Sequence, residues 1–204
     1  MKYIILIILW TAWCTLHSAL ISLSVTEWLR SRVPGFFRYY RIIYNSISIF
    51  TLVPVIYYAY LLRGPTIISW GGTWQILRFI MIILAVFLFV AGTRRYDLAQ
   101  FLGLRQVHDE KSCSVLTDDC TLDTKGILSI VRHPWYTGGL LIVWTRSLDL
   151  AGILTNLVVC SYFVIGAILE ERKLVAQFGE EYRAYQQQVS MLFPVKRFLN
   201  KLKG

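Results

Sequence analysis

Long apolar stretches with almost no charged residues constrain this chain more than any other feature. Residues 3–25, 42–62 and 150–169 contain no Lys, Arg, Asp or Glu, and residues 76–92 contain only Arg78. The first three runs reach the length of about 20 residues that a helix needs to cross a bilayer, and residues 76–92 are only slightly shorter. Only 16% of the residues are charged, against about 25% in soluble domains. The sequence therefore predicts an all-α polytopic membrane protein and excludes a disordered chain.

A shorter apolar run precedes the last long one. Residues 136–145 are apolar, and Arg146 and Asp149 then interrupt the pattern. At about 1.5 Å per residue, such a run covers about half of the hydrocarbon thickness. We therefore interpret residues 136–169 as a helical hairpin with a short or tilted first arm, which gives about five transmembrane helices. A signal peptide is the alternative for the first run, but that run is long and has no small-residue cleavage site.

Basic residues concentrate in three segments, which are residues 30–41, 94–132 and 172–203. The positive-inside rule then predicts that the N-terminus is outside and the C-terminus is cytoplasmic. We interpret the net charge of +9 in the same way, as a membrane-surface property and not as nucleic-acid binding. We expect the chain to divide into N-terminal membrane helices, residues 1–93, and a second half, residues 94–204, which carries most of the candidate site residues and whose C-terminal segment closes a pocket.

Few cysteines and histidines are available for chemistry. Cys113 and Cys120 do not have the short spacing of zinc ligands, and no His pair accompanies them, so we predict free thiols and no metal site. His17 lies in the first apolar run, where a functional role is one interpretation. A hydrogen bond to a neighbouring helix, with Asn45 or Ser46 as the partner, is the interpretation that we favour.

The third histidine lies in a distinctive turn, Arg-His-Pro-Trp-Tyr-Thr-Gly-Gly at residues 132–139. Pro134 disfavours helical angles at His133 and suits the first turn of a helix. A helix N-terminus offers free N–H groups and a positive dipole, so a cationic turn at that point fits an anionic or carboxylate-bearing ligand. Gly138 allows a close approach of backbone or ligand. The alternative is a basic cap at the membrane edge with aromatic anchors.

Two carboxylates, Glu170 and Glu171, end the last apolar run. Neighbours on a helix point about 100° apart, so only one of them can face a given site directly. A solvated helix end is the alternative. Because carboxylates oppose the dipole at a helix C-terminus, we expect the helix to continue to Phe178 and to break at Gly179. Apolar and aromatic residues there could pack over the turn as a lid: Leu174, Phe178, Tyr182 and Tyr185.

The order of these motifs resembles a known enzyme family. Arg-His-Pro-x-Tyr-x-Gly, an apolar hairpin, Glu-Glu-x-x-Leu-x-x-x-Phe-Gly-x-x-Tyr-x-x-Tyr and a final Phe-Pro, over residues 126–194, are similar to isoprenylcysteine carboxyl methyltransferases and related membrane phospholipid methyltransferases. The N-terminal half, with Arg38-Tyr-Tyr-Arg41 and residues 96–106, is similar to bacterial denitrification-associated membrane proteins and methanethiol methyltransferases.

The resemblance implies S-adenosylmethionine as cofactor, a bacterial inner-membrane location, and a small or lipid-like acceptor that is methylated on a thiol or carboxylate. It matches His133 and Tyr136 to the cofactor-binding turn and Glu170 and Glu171 to the paired carboxylates. Further candidates to shape or line the cofactor pocket are Val131, Pro134, Gly138 and Gln106.

The methyl acceptor has candidate residues of its own. A thiol or carboxylate nucleophile needs a cationic partner, for which Arg94, Arg95 and Arg105 lie on the correct predicted side. We take Arg95, Arg105 and Glu171 as catalytic candidates, although these arginines could instead be positive-inside anchors.

Two other functions stay open. An NADPH-dependent membrane sterol or enone reductase has a similar turn, but such proteins usually place an acidic residue where this chain has Gly139. A non-enzymatic membrane subunit of a nitrogen-oxide pathway would bind no cofactor.

Overall fold

A computed structural model describes residues 1–96, 98–108 and 121–197, and the description below concerns these residues. They form ten α-helices and one short 3-10 helix at Gly126–Ser129, with two isolated β-bridges and no longer strand. The α-helices are α1 (Lys2–Leu20), α2 (Leu23–Arg32), α3 (Pro34–Phe37), α4 (Tyr40–Leu61), α5 (Trp74–Thr93), α6 (Leu98–Leu102), α7 (Leu104–His108), α8 (Pro134–Val143), α9 (Leu150–Phe178) and α10 (Glu180–Gln188).

Four helices, α1, α4, α5 and α9, are long and apolar enough to cross a membrane. They correspond to the four long apolar runs, so the prediction of an all-α polytopic membrane protein is confirmed. The short first arm of the predicted hairpin is α8, which has ten residues.

The first apolar run is divided, contrary to the continuous helix expected through Val25. α1 ends at Leu20, and a new helix, α2, starts at Leu23. The division has a local cause, because the Ser22 hydroxyl accepts a hydrogen bond from the Val25 N–H at 3.4 Å. A serine in this position satisfies an otherwise unpaired amide of the first turn and thereby favours a helix start.

The described residues separate into two compact units, and α9 contributes residues to both. The described part of the first unit comprises Met1–Ile68, residues 98–108 and Leu148–Val159. Its core contains Leu6, Trp10, Val55 and Ala151. The functional division into residues 1–93 and 94–204 stays a prediction.

His17 is hydrogen-bonded between α1 and α4, as the favoured interpretation requires, but its partners differ from those expected. The Tyr44 hydroxyl lies 2.6 Å from His17 Nε2, and the Ser48 Oγ lies 2.9 Å from Nδ1. Tyr44 and Ser48 are four residues apart and so share one helix face. Asn45 instead donates to the carbonyl oxygen of Leu102 at 3.1 Å.

The described part of the second unit comprises Ser69–Tyr96 and residues 121–147 and 160–197. In it, α5 packs closely against α8. A Cβ added at Gly92 would lie 2.4 Å from the Trp135 Nε1 atom, which donates to the Phe89 carbonyl at 3.2 Å. Gly92 is therefore required by the close approach of the two helices.

α8 also packs against the second half of α9. The rings of Tyr136 and Phe163 are 5.8 Å apart, and Trp144 Nε1 donates to the Cys160 sulfur at 3.3 Å. The early residues of α8 thus meet later residues of α9, and the two arms run antiparallel, as the predicted hairpin requires. Cys14 and Cys160 are free thiols as expected, whereas Cys113 and Cys120 lie outside the described residues.

The chain reverses after α9 at Gly179. α9 extends to Phe178, and Gly179 has a φ of 57°, a conformation that favours glycine. Helix α10 then packs back, and a buried cluster forms from Leu174, Tyr182, Tyr185 and Val189. The predicted break at Gly179 is confirmed.

Candidate active site

The turn before α8 is bound to the C-terminal segment by backbone hydrogen bonds. The Arg132 N–H donates to the Ser190 carbonyl at 3.0 Å, and the His133 N–H donates to the Met191 carbonyl at 3.1 Å. The Thr137 hydroxyl adds a bond to the Leu192 carbonyl at 2.7 Å. The conformation of the Arg-His-Pro turn therefore depends on the chain that follows α10.

Glu171 lies at the centre of a buried polar cluster. Its Oε1 atom accepts from Arg132 Nε at 2.7 Å and lies 2.7 Å from Arg132 Nη2 and 3.1 Å from His133 Nε2. Its Oε2 atom accepts from Gln186 Nε2 at 2.7 Å. Both carboxylate oxygens are thus engaged, and the side chains of Arg132, His133 and Glu171 are buried.

Arg132 also joins α10 to the turn. Its Nη1 atom donates to the carbonyl oxygens of Gln186, at 3.1 Å, and of Val189. The Tyr185 hydroxyl donates to the Leu128 carbonyl at 2.5 Å. The Arg132 guanidinium therefore contacts Glu171 on α9, Gln186 on α10, and Val189 in the segment after α10. Its planar set of donors suits such multiple contacts.

Glu170 has a different environment from its neighbour. Its side chain is 31% exposed, and its Oε2 atom lies 3.8 Å from His133 Nδ1, beyond hydrogen-bond distance. The Tyr136 ring lies beside the same histidine, with 5.5 Å between the ring centroids of His133 and Tyr136. The two carboxylates point differently, as helix geometry predicts.

The remaining predicted residues of this unit lie around the cluster. Val131 and Pro134 are buried, and Gly138 packs against Phe89. Arg95 Nη1 lies 3.4 Å from an Asp123 carboxylate oxygen. The Arg95 guanidinium also covers Gly126, where an added Cβ would lie 2.7 Å from Nη2.

Arg105 and Gln106 belong to the first unit, on the five-residue helix α7. Gln106 Nε2 donates to the Gln100 carbonyl at 3.1 Å. Their proposed roles in binding and catalysis stay predictions, as do those of the residues in the second unit.

Sequence reasoning missed Arg132 and Gln186 as members of the cluster. Arg132 could have been found, because a buried arginine next to an apolar arm requires a carboxylate partner. Gln186 carries no such signal, since its contact depends on the reversal at Gly179.

Comparison with known proteins identifies the family. A family model described as NnrU protein matches residues 5–195. The chain belongs to the NnrU family. Proteins named methanethiol S-methyltransferase resemble this NnrU family member over shorter lengths. One from Pseudomonas is 42% identical over 79 residues. Another, from Bradyrhizobium diazoefficiens, is 43% identical over 72 residues.

A third methanethiol S-methyltransferase, from Crocosphaera subtropica, is 34% identical over 122 residues. These three matches cover 38%, 35% and 58% of the present chain. They cover only 29%, 25% and 44% of the relatives, so the chain spans less than half of their length. No solved structure gives a significant match to this family member.

Proposed function

We propose that this NnrU family protein is an integral membrane methyltransferase that uses S-adenosylmethionine and methylates a thiol or carboxylate of a small or lipid-like acceptor. The name of the relatives, methanethiol S-methyltransferase, favours a small thiol. The observation that carries the proposal is the pairing of a fully engaged carboxylate, Glu171, with a partly exposed one, Glu170, beside the same histidine.

The donors and acceptors of the cluster fit the cationic part of this cofactor. In the neutral tautomer that donates Nε2–H to Glu171, His133 Nδ1 is an acceptor. Nδ1 then faces a second acceptor, the Glu170 carboxylate, at 3.8 Å. A cationic N–H donor between them satisfies both groups. The ammonium group of the cofactor is such a donor, and we assign Glu170 and His133 to hold it.

Glu171 has a separate role in this proposal. Because Arg132, His133 and Gln186 occupy both of its oxygens, Glu171 is a positioning residue that fixes the His133 ring and the C-terminal segment. Tyr136 packs beside His133, with 5.5 Å between their ring centroids, and is a candidate to line the cofactor pocket. Arg95, Arg105 and Gln106 stay candidates for contacts with the acceptor or cofactor.

When bound, S-adenosylmethionine supplies a methyl group on a positively charged sulfur. Transfer of such a group depends chiefly on alignment and on exclusion of water. The aromatic residues of α10 and the hairpin provide apolar surface near the carboxylates, from Tyr136, Phe163, Tyr182 and Tyr185. In this proposal, the Glu170–Glu171 end of the protein and the C-terminus lie on the cytoplasmic side of a bacterial inner membrane. The cofactor is available on that side.

Binding of S-adenosylhomocysteine to the detergent-purified protein, measured by isothermal titration, tests the cofactor. Glu170→Gln should abolish binding, and Glu180→Gln, a matched change at an exposed glutamate of α10, should leave it unchanged. Binding of NADPH and not of S-adenosylhomocysteine would instead support a reductase, and binding of neither would support a non-enzymatic subunit.

Radiolabelled methyl transfer to methanethiol, a prenylcysteine and a phospholipid tests the acceptor. Label in the volatile thioether product is the expected result. Label only in the prenylcysteine or the phospholipid would contradict the small-thiol assignment but retain the methyltransferase.

A further inference from the structure

The segment that joins α1 to α4, residues 21–39, lies at one end of two candidate membrane spans. The Tyr40 hydroxyl donates to the Leu20 carbonyl, so the end of α1 and the beginning of α4 are adjacent. Because each of these helices can cross a membrane, the segment between them lies at a membrane surface.

Large apolar side chains of this segment are exposed. Neither α2 nor α3 contains a buried residue. Trp28 is 58% exposed and Phe36 is 56% exposed, and Leu23 and Val33 are also exposed. Tryptophan is enriched at the boundary between headgroups and acyl chains, because its ring is apolar and its N–H is polar. These exposed side chains are therefore suited to contact with lipid.

Basic side chains of the same segment are exposed beside aromatic rings. The Arg30 guanidinium lies 5.9 Å from the ring centroid of Phe37, and that of Arg38 lies 4.8 Å from the ring centroid of Tyr39. Arg32 is a third exposed arginine, and Glu27 is the one acidic residue of the segment. A net positive charge on an apolar surface complements a lipid with a negative headgroup and apolar chains.

We infer that residues 21–39 form an interfacial surface that binds anionic phospholipids. Arg30, Arg32 and Arg38 contact the headgroup phosphate, while Trp28 and Phe36 enter the boundary with the acyl chains. Long arginine side chains reach the headgroups from an apolar position. This function is independent of methyl transfer, because it uses no residue of the Arg132–Glu171 cluster.

Native mass spectrometry of the full chain in detergent, with phosphatidylglycerol or phosphatidylcholine added, tests the inference. Replacing Arg30, Arg32 and Arg38 together with Gln should weaken phosphatidylglycerol binding by about tenfold or more and leave phosphatidylcholine adducts unchanged. The matched control removes three exposed cations elsewhere, with Lys2→Gln, Arg63→Gln and Arg146→Gln. Equal losses in both triple variants would overturn the assignment, and so would displacement of the lipid by inorganic phosphate.

A second measurement leaves the arginines intact. In nanodiscs, the difference in fluorescence between the unchanged protein and Trp28→Phe reports Trp28 alone. Brominated phosphatidylglycerol should quench this difference signal more strongly than brominated phosphatidylcholine at the same mole fraction. Equal quenching by the two lipids, or none by either, would overturn the inference.

Discussion

Replacing Glu171 with Gln removes the negative charge that compensates a buried guanidinium. The side chains of Arg132 and Glu171 are only 7% and 10% exposed. Breaking a buried ion pair from one side typically costs about 3–5 kcal/mol, because the remaining charge is left without a partner. For a chain of this size, each kcal/mol lowers the melting temperature by about 2–4 °C. We therefore expect Glu171→Gln to unfold about 6–20 °C below the unchanged protein.

The adjacent glutamate provides a matched control. Glu170 belongs to the same helix and is 31% exposed, so Glu170→Gln should cost less than about 1 kcal/mol of unfolding free energy. The two variants should then separate stability from binding: Glu170→Gln folds normally and loses affinity for S-adenosylhomocysteine, whereas Glu171→Gln loses stability first. Unfolding by SDS titration in mixed micelles, followed by near-UV circular dichroism, measures both free energies.

The double variant Arg132→Met/Glu171→Gln sharpens the test. Because both charges are removed together, its loss should be smaller than the sum of the two single losses. A residual loss should remain, since the Gln186 and Val189 carbonyls lose the donor that Arg132 provides, at about 1–3 kcal/mol for a buried unpaired group. Additive losses, or a Glu171→Gln variant as stable as Glu170→Gln, would refute the reasoning.

Three further predictions use the same unfolding assay. Gly92→Ala should cost about 1–3 kcal/mol, because its Cβ would overlap Trp135, whereas Gly35→Ala, with nothing within 4 Å, should cost little. Tyr185→Phe should cost about 1–2 kcal/mol through loss of the bond to the Leu128 carbonyl. Burial raises the pKa of the Tyr185 phenol, so its stabilisation should be complete below about pH 10 and decline above it. Tyr185→Phe should therefore have a flatter alkaline profile, and an unchanged profile would contradict this.

Sequence reasoning succeeded where one segment determines its own structure. Hydropathy predicted the four long helices, since an apolar run of sufficient length identifies a span without knowledge of its neighbours. The break at Gly179 was also local, because a glycine after a helix can adopt a positive φ. The end of α1 at Leu20 was missed because hydropathy does not register the cap formed by Ser22.

Contacts between distant segments were predicted only in part. The grouping of His133 with Glu170 and Glu171 came from the family resemblance, and the antiparallel arms of the hairpin bring these residues together. The contact of Arg132 with Val189 depends on the path of the chain after α10, which no periodicity specifies. The partners of His17 were misjudged for a similar reason, since the rotation of α4 about its axis is set by packing and not by its sequence alone.

The pairing of residues 132 and 133 with residues 190 and 191 has a consequence for synthesis. The turn is translated well before its partner segment, and α9 must emerge in between. The Arg-His-Pro turn therefore stays incomplete until translation has passed residue 191. A nascent chain released before that point keeps its apolar helices but lacks the backbone acceptors, the Ser190 and Met191 carbonyls, that hold the turn.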